Sequence, residues 1–100
     1  MSTINKVKVE QFEGNNGPVK NQFLITTDEG VYFQSYDSII AFMPFGHRYN
    51  PEKKIKLDKT YWDYSVTTGK YRNIFLEENK KETERKIKSG EYELVDLNGG

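Results

Sequence analysis

Cysteine is absent from this 100-residue chain, and histidine and tryptophan occur once each, as His47 and Trp62. The missing thiol excludes disulfides, thiol nucleophiles and thiolate metal sites together, and it fits a reducing compartment. One histidine without cysteine cannot assemble the nitrogen and sulfur ligands of a structural zinc, so neither a metal nor another cofactor is expected. Long apolar runs are also missing. The longest, Ile39 to Phe45, has the length of a strand and is interrupted by Pro44, so no membrane span is expected. No apolar run follows Met1 to Lys6, so no secretory signal is expected either. An excess of either charge is lacking too, because fifteen basic residues balance fifteen acidic ones. The chain as a whole therefore has no electrostatic pull toward nucleic acid or an acidic membrane. A soluble intracellular protein is the simplest expectation.

What the chain does have is aromatic residues, at 14% of the total. They supply burial that the few aliphatics cannot, at roughly 1.5–3 kcal/mol for each fully buried large side chain. This length builds one core. We expect a single domain over residues 1–97 and a frayed tail over 98–100. Such a core only narrowly outweighs the entropy of ordering the chain, so a homodimer that adds buried surface is a further expectation.

Val7 and Val9 alternate with Lys6, Lys8 and Glu10, which predicts a strand over Ile4 to Phe12 with one wet face. Gly14 to Pro18 is a turn, and Val19 to Thr27 is the second half of a hairpin. Thr27-Asp28-Glu29-Gly30 is a tight turn, with Gly30 placed for a positive φ in a bulge. Val31 to Met43 is extended but too long for one strand, so a bend near Tyr36-Asp37-Ser38, or two strands, is expected. Pro44 to Lys53 is a loop by composition, in which Pro44 and Pro51 each withhold a backbone donor. Lys54 to Asp58 resumes alternation. Beyond Tyr61-Trp62-Asp63-Tyr64 the period becomes helical, with Tyr71, Ile74 and Phe75 on one face and Ser65, Thr67 or Thr68 as the cap. Asn79 with Glu82 three residues on opens a second helix, which Gly90 ends. Pairs Glu82–Lys86 and Glu84–Lys88 have the favourable spacing along it. Glu91 to Leu97 is a last strand. The fold class is α+β: a small antiparallel sheet of four to five strands, with two short helices inserted before the last strand.

Catalysis is poorly supplied. His47 has no nucleophile-elbow context beside Ser35 or Ser65, and Asp58 and Asp63 are the only paired-acid candidates, with an unreadable turn between them. No enzyme is expected. Seven basic residues face three acidic ones between Arg48 and Arg72, and aromatics interleave with them. Within this stretch, Ser65, Thr67, Thr68, Lys70 and Arg72 surround a predicted helix start, where free N–H groups attract anions. With Lys53, Lys54, Lys56 and Lys59 they define a candidate anion or nucleic-acid surface. Ordinary capping explains the same hydroxyls, and a wet helix face the same cations, and this is the favoured explanation. Protein binding draws instead on exposed aromatics. Phe45 and Tyr49 in the proline-bounded loop, and Tyr32 and Tyr36 on the long extended segment, are its candidates, each with a core role as the competing explanation.

The segments Tyr32 to Ala41, Tyr61 to Ser65, Lys70 to Asn73, Phe75-Leu76 and Lys86 to Tyr92 together resemble an uncharacterised family of small proteins encoded by tailed bacteriophages. The resemblance runs from Val31 to Leu97. The loop from Phe45 to Lys53 is longer than the turn it implies. It implies a phage origin and a place in the host cytoplasm, and it carries no site residues. The expectation is therefore a non-enzymatic protein that binds a host or phage protein, as an inhibitor of host defence. The alternative is a nucleic-acid or nucleotide-binding module that uses residues 48–72.

Overall fold

A computed structural model describes residues 7–14 and 16–99. The expected strand start at Ile4 lies outside the described residues, as do Asn15 of the first turn and Gly100. The elements are β1 (Lys8–Gly14), β2 (Gly17–Thr26), β3 (Gly30–Ser35), β4 (Ser38–Pro44), β5 (Ile55–Asp58), α1 (Val66–Leu76), α2 (Lys80–Ser89) and β6 (Tyr92–Val95). They form one six-stranded sheet in the order β1-β2-β3-β4-β5-β6. Neighbours from β1 to β5 are antiparallel, whereas β6 runs parallel to β5. The sheet is thus mixed and larger than the expected antiparallel sheet of four to five strands. The helix pair supplies the long crossover that a parallel neighbour needs.

The long extended segment divides at Tyr36, whose φ of 57° reverses the chain, and the Tyr36 N–H donates to Asn21 O at 2.7 Å. Gly30 does not take the expected positive φ; the positive-φ glycines among the described residues are Gly17, Gly46, Gly90 and Gly99. Its role is close approach, because a Cβ there would lie 2.3 Å from Met43 O and 2.9 Å from Phe42 Cε1. The register shifts at Phe12 in β1 and again where β3 meets β4, so that Ile40 is an extra residue in β4. The second shift lets Ile40 and Ala41 both be fully buried.

The core lies between the sheet and the helices. Phe33 packs edge-on to Phe12 with ring centroids 5.3 Å apart and meets Phe75 of α1 at 5.8 Å. Leu57 and Leu76 complete it, and the expected helix contacts Tyr71, Phe75 and Ile87 pack against it together with Trp62. Ile74, expected on the apolar face, is half exposed. The opposite face of the sheet carries a cross-strand row of Val9, Ile25, Tyr32, Phe42, Lys56 and Glu93.

Ser65 caps α1 and accepts from Thr68 N, and Asn79 caps α2 and accepts from Glu82 N. The expected Glu82–Lys86 pair is replaced: Glu82 binds Arg85 at 2.6 Å and Lys86 binds Glu78 at 2.8 Å, while Glu84 and Lys88 form no ion pair among the described residues. After β6 the chain crosses the end of β5. Asp58 Oδ1 accepts from Leu97 N at 2.8 Å, and the Asn98 side chain exchanges two hydrogen bonds with the Ile39 backbone. Asn98, expected to fray, is held by those bonds.

Candidate functional site

The start of α1 shows where the hydroxyls and cations of the predicted anion site go. Thr68 is fully buried, and its hydroxyl lies 2.8 Å from that of Ser35 and 3.0 Å from that of Ser65. Arg72 is only 1% exposed. A buried guanidinium costs several kcal/mol unless its donors are met, and here most are. Nη1 donates to Trp62 O at 2.8 Å and to Asp63 Oδ1 at 3.0 Å, while Nη2 donates to Asn73 Oδ1 at 3.0 Å. The guanidinium also lies over the Trp62 ring, 5.1 Å from its centroid. Lys80 reaches the other oxygen of Asp63 at 2.6 Å.

Burial pushes the Asp63 carboxyl up, but the bonds and charges of Lys80 and Arg72 outweigh it and hold the group below its ordinary value. Ser65, Lys70 and Arg72 do line one hollow of about 670 Å³, together with Asp63 and Lys80. Thr67 and Thr68 are not part of its lining. The anion in this hollow is the chain's own Asp63 carboxylate, which pairs with Arg72 and Lys80.

Asp58 and Asp63 do not act as paired acids, because each has its own partners. Asp58, almost wholly buried, accepts from Thr60 N, Tyr61 N and Leu97 N. Burial raises its pKa, and these backbone donors together with Asn98 bring it below the ordinary value.

The remaining basic candidates come together only in part, Lys53 sharing one hollow with Lys56 and another with Lys54. Lys56 sits on the open face of the sheet beside Glu93, at 4.0 Å. Lys59 is exposed beyond the far end of β5, and Lys70 is exposed on α1 with its amine 5.4 Å from the centre of the Tyr71 ring. Lys53 and Lys54 line a different groove, about 790 Å³ in volume, whose floor is Met43, Ile55, Leu76 and Tyr92.

That groove has walls of opposite sign. One is the loop between β4 and β5, with His47, Arg48, Lys53 and Lys54. The other is α2 and its approach, with Glu77, Glu78, Glu82 and Glu91. Glu78 is committed internally: it accepts from Thr83 Oγ1, from Lys86 Nζ at 2.8 Å and from the Tyr92 hydroxyl at 2.9 Å. Burial and then Glu78 push the Tyr92 phenol up. Burial, followed by the charge of Arg48, lowers the pKa of His47 and so favours its neutral imidazole. Arg48, Lys53 and Lys54 have no ion-pair partner among the described residues. Sequence reasoning missed the acidic wall, because Glu78 and Tyr92 meet only after the chain has folded.

The loop that forms the basic wall is internally bonded. Tyr49 N and Asn50 N both donate to Gly46 O at 3.0 Å, Lys53 N donates to Asn50 O at 3.0 Å, and Glu52 N donates to Asn50 Oδ1 at 2.9 Å. Gly46, with φ of 83°, makes the reversal. This framework leaves Tyr49 90% exposed and Phe45 49% exposed. A shallow depression of about 220 Å³ lies against them, lined by Val31, Met43 and Pro44 as well. Tyr36 is exposed at the other end of the sheet, in the β3–β4 turn. Tyr32 is half-buried and stacks on Phe42, with centroids 4.4 Å apart. Of the four aromatic candidates, only Phe45 and Tyr49 are brought together.

Among the described residues no group of three or more His, Cys, Asp or Glu side chains is placed to hold a metal. No helix among the described residues is long and apolar enough to cross a membrane.

Residues 7–91 match the model of DUF8033, a family of unknown function. The chain belongs to that family. The match takes in the loop, both helices and every strand but β6. No curated protein and no solved structure matches the chain.

Proposed function

We propose that this DUF8033 protein is a non-enzymatic binding domain whose ligand is another protein, engaged through the loop between β4 and β5. In the setting the phage resemblance implies, that ligand is a host or phage protein in the host cytoplasm, and the role is inhibition. One observation supports the reading most: a hydrogen-bonded loop holds Tyr49 almost fully in solvent, next to Phe45 and to Arg48, which has no ion-pair partner among the described residues. Tyrosine and arginine dominate interface hot spots, and a loop already ordered loses little conformational freedom on binding. The neighbouring groove adds apolar floor and charge of both signs, which suits a protein surface better than a polyanion.

The nucleic-acid alternative has less support. Arg72 and Thr68 are internal, Lys56 sits beside Glu93, and Lys53 and Lys54 share their groove with Glu77, Glu78, Glu82 and Glu91. Affinity capture from host lysate, with and without nuclease and at two salt concentrations, separates the two. A protein retained in stoichiometric amount after nuclease treatment supports the proposal. Capture that nuclease abolishes contradicts it.

A further inference from the structure

β1 is an edge strand, and among the described residues its outer side has no neighbour in the sheet order. Unpaired edges of this kind are ready to accept another strand. Its first half is exposed on both faces, with Val7 and Val9 each 60% exposed. The shift in register at Phe12 ends its regular stretch at Gln11. The usable edge is therefore Lys8 to Gln11, preceded by the exposed Val7, and within it Val9 is flanked by the oppositely charged Lys8 and Glu10.

We infer that this edge pairs with the same edge of a second copy, antiparallel and with Val9 facing Val9 of the partner, to make one continuous sheet across a two-fold axis. A two-fold perpendicular to the sheet keeps each face on its own side, so some residue must face its own copy. With Val9 as that residue, Lys8 falls opposite Glu10 of the partner and Glu10 opposite Lys8 of the partner. Moving the centre to Lys8 or Glu10 sets like charges against each other, which is unfavourable. Lys8 and Glu10 already lie on one face, 3.5 Å apart and well exposed. A surface pair of that kind is worth little by itself and exchanges readily for two pairs across the junction.

On the other face, Val9 begins the row that continues through Ile25, Tyr32 and Phe42. The Val9 contact joins the rows of the two copies. The register therefore satisfies charge on one face and apolar contact on the other. At the opposite edge of the sheet, β6 has only four residues. The inference is independent of the loop proposal, since β1 and the β4–β5 loop are separate surfaces. The short pairing makes a transient dimer rather than an obligate one.

Sedimentation of the full chain, over a concentration series reaching roughly 1 mM, tests this with two charge reversals. Lys8→Glu and Glu10→Lys each place like charges opposite one another twice, and each is expected to weaken self-association by roughly tenfold. Mixing the two variants restores complementarity at both positions, and a heterodimer is expected to form from two species that are monomeric alone. Circular dichroism of each variant confirms that it is folded. A wild-type chain that stays monomeric throughout the series overturns the inference, including the case in which the edge serves a different protein. So does a dimer that both reversals leave intact, or a mixture that gains no heterodimer.

Discussion

Nη1 of Arg72 sits 3.0 Å from Oδ1 of Asp63, inside the protein, and the same guanidinium bridges to Trp62 O and Asn73 Oδ1. This contact ties the Tyr61 to Ser65 turn to the middle of α1, with Lys80 of α2 joining at the second oxygen of Asp63. One buried cation thus fixes the positions of both helices relative to the end of β5.

Arg72→Ala is expected to remove about 3 kcal/mol of stability, because it empties the space of a buried side chain and takes the guanidinium donors from Trp62 O, Asn73 Oδ1 and one oxygen of Asp63. Arg72→Lys should recover only part of that, since an ammonium cannot reproduce the fork of donors. Urea denaturation measures both. A loss under about 1 kcal/mol for the alanine variant would contradict the internal role.

Stability should fall in acid through the same residues. Asp58 and Asp63 both ionise below their ordinary values in the folded protein. The unfolded chain takes up these protons first, near pH of about 3.9. Their stabilisation is complete above that pH and is lost as pH drops through the folded values. Denaturation midpoints measured from pH 6 to pH 2.5, roughly the span below neutrality that brackets this loss, should decline steeply below about pH 4 in the wild type and less steeply in Asp58→Asn. A wild-type midpoint unchanged across that span would contradict the assignment.

Gln22 offers a prediction of opposite sign. It is fully buried opposite Ser35, and neither atom of its amide has a hydrogen-bond partner among the described residues. Replacing an unmet buried amide with an apolar side chain of similar shape removes a penalty of about 1–3 kcal/mol. Gln22→Met should therefore raise the midpoint of thermal unfolding. A lowered midpoint would mean that the amide contributes a bond.

Gly30→Ala should destabilise the β3–β4 pair, because the added methyl meets backbone at Met43 and Pro44 as well as the Phe42 ring. Overpacking of this kind costs about 1–3 kcal/mol, readable as a lower urea midpoint. An unchanged midpoint would contradict the close approach of β3 and β4.

The parts of this fold legible in the sequence are those set by local chemistry. Asn79 and Gly90 bracket α2 because their caps need nothing from the rest of the chain, and the alternation of Ile55 and Leu57 marks β5. The direction of β6 was not legible, since Tyr92 and Leu94 satisfy the same pattern whichever way the strand runs. Gly30 was recognised as special for a conformational reason when the cause is a neighbouring strand. Arg72 reads as a wet helix cation beside Lys70, because only tertiary structure brings Asp63, Trp62 and Lys80 to it. The two prolines identify the loop at Phe45 and Tyr49, but which side chains it turns outward depends on the bonds to Gly46 O and Asn50 O.

The binding role is tested most directly by retention of a captured protein by wild type, by Tyr49→Ala and by the Phe45→Ala/Tyr49→Ala pair, with nuclease present and folding checked by urea denaturation. Tyr49 is so exposed that its removal should change stability by less than about 0.5 kcal/mol. Wild type retaining the partner, the single variant weakening it and the pair abolishing it, all at near-equal stability, is the predicted result. Equal retention by all three proteins would contradict the proposal that this loop binds the partner.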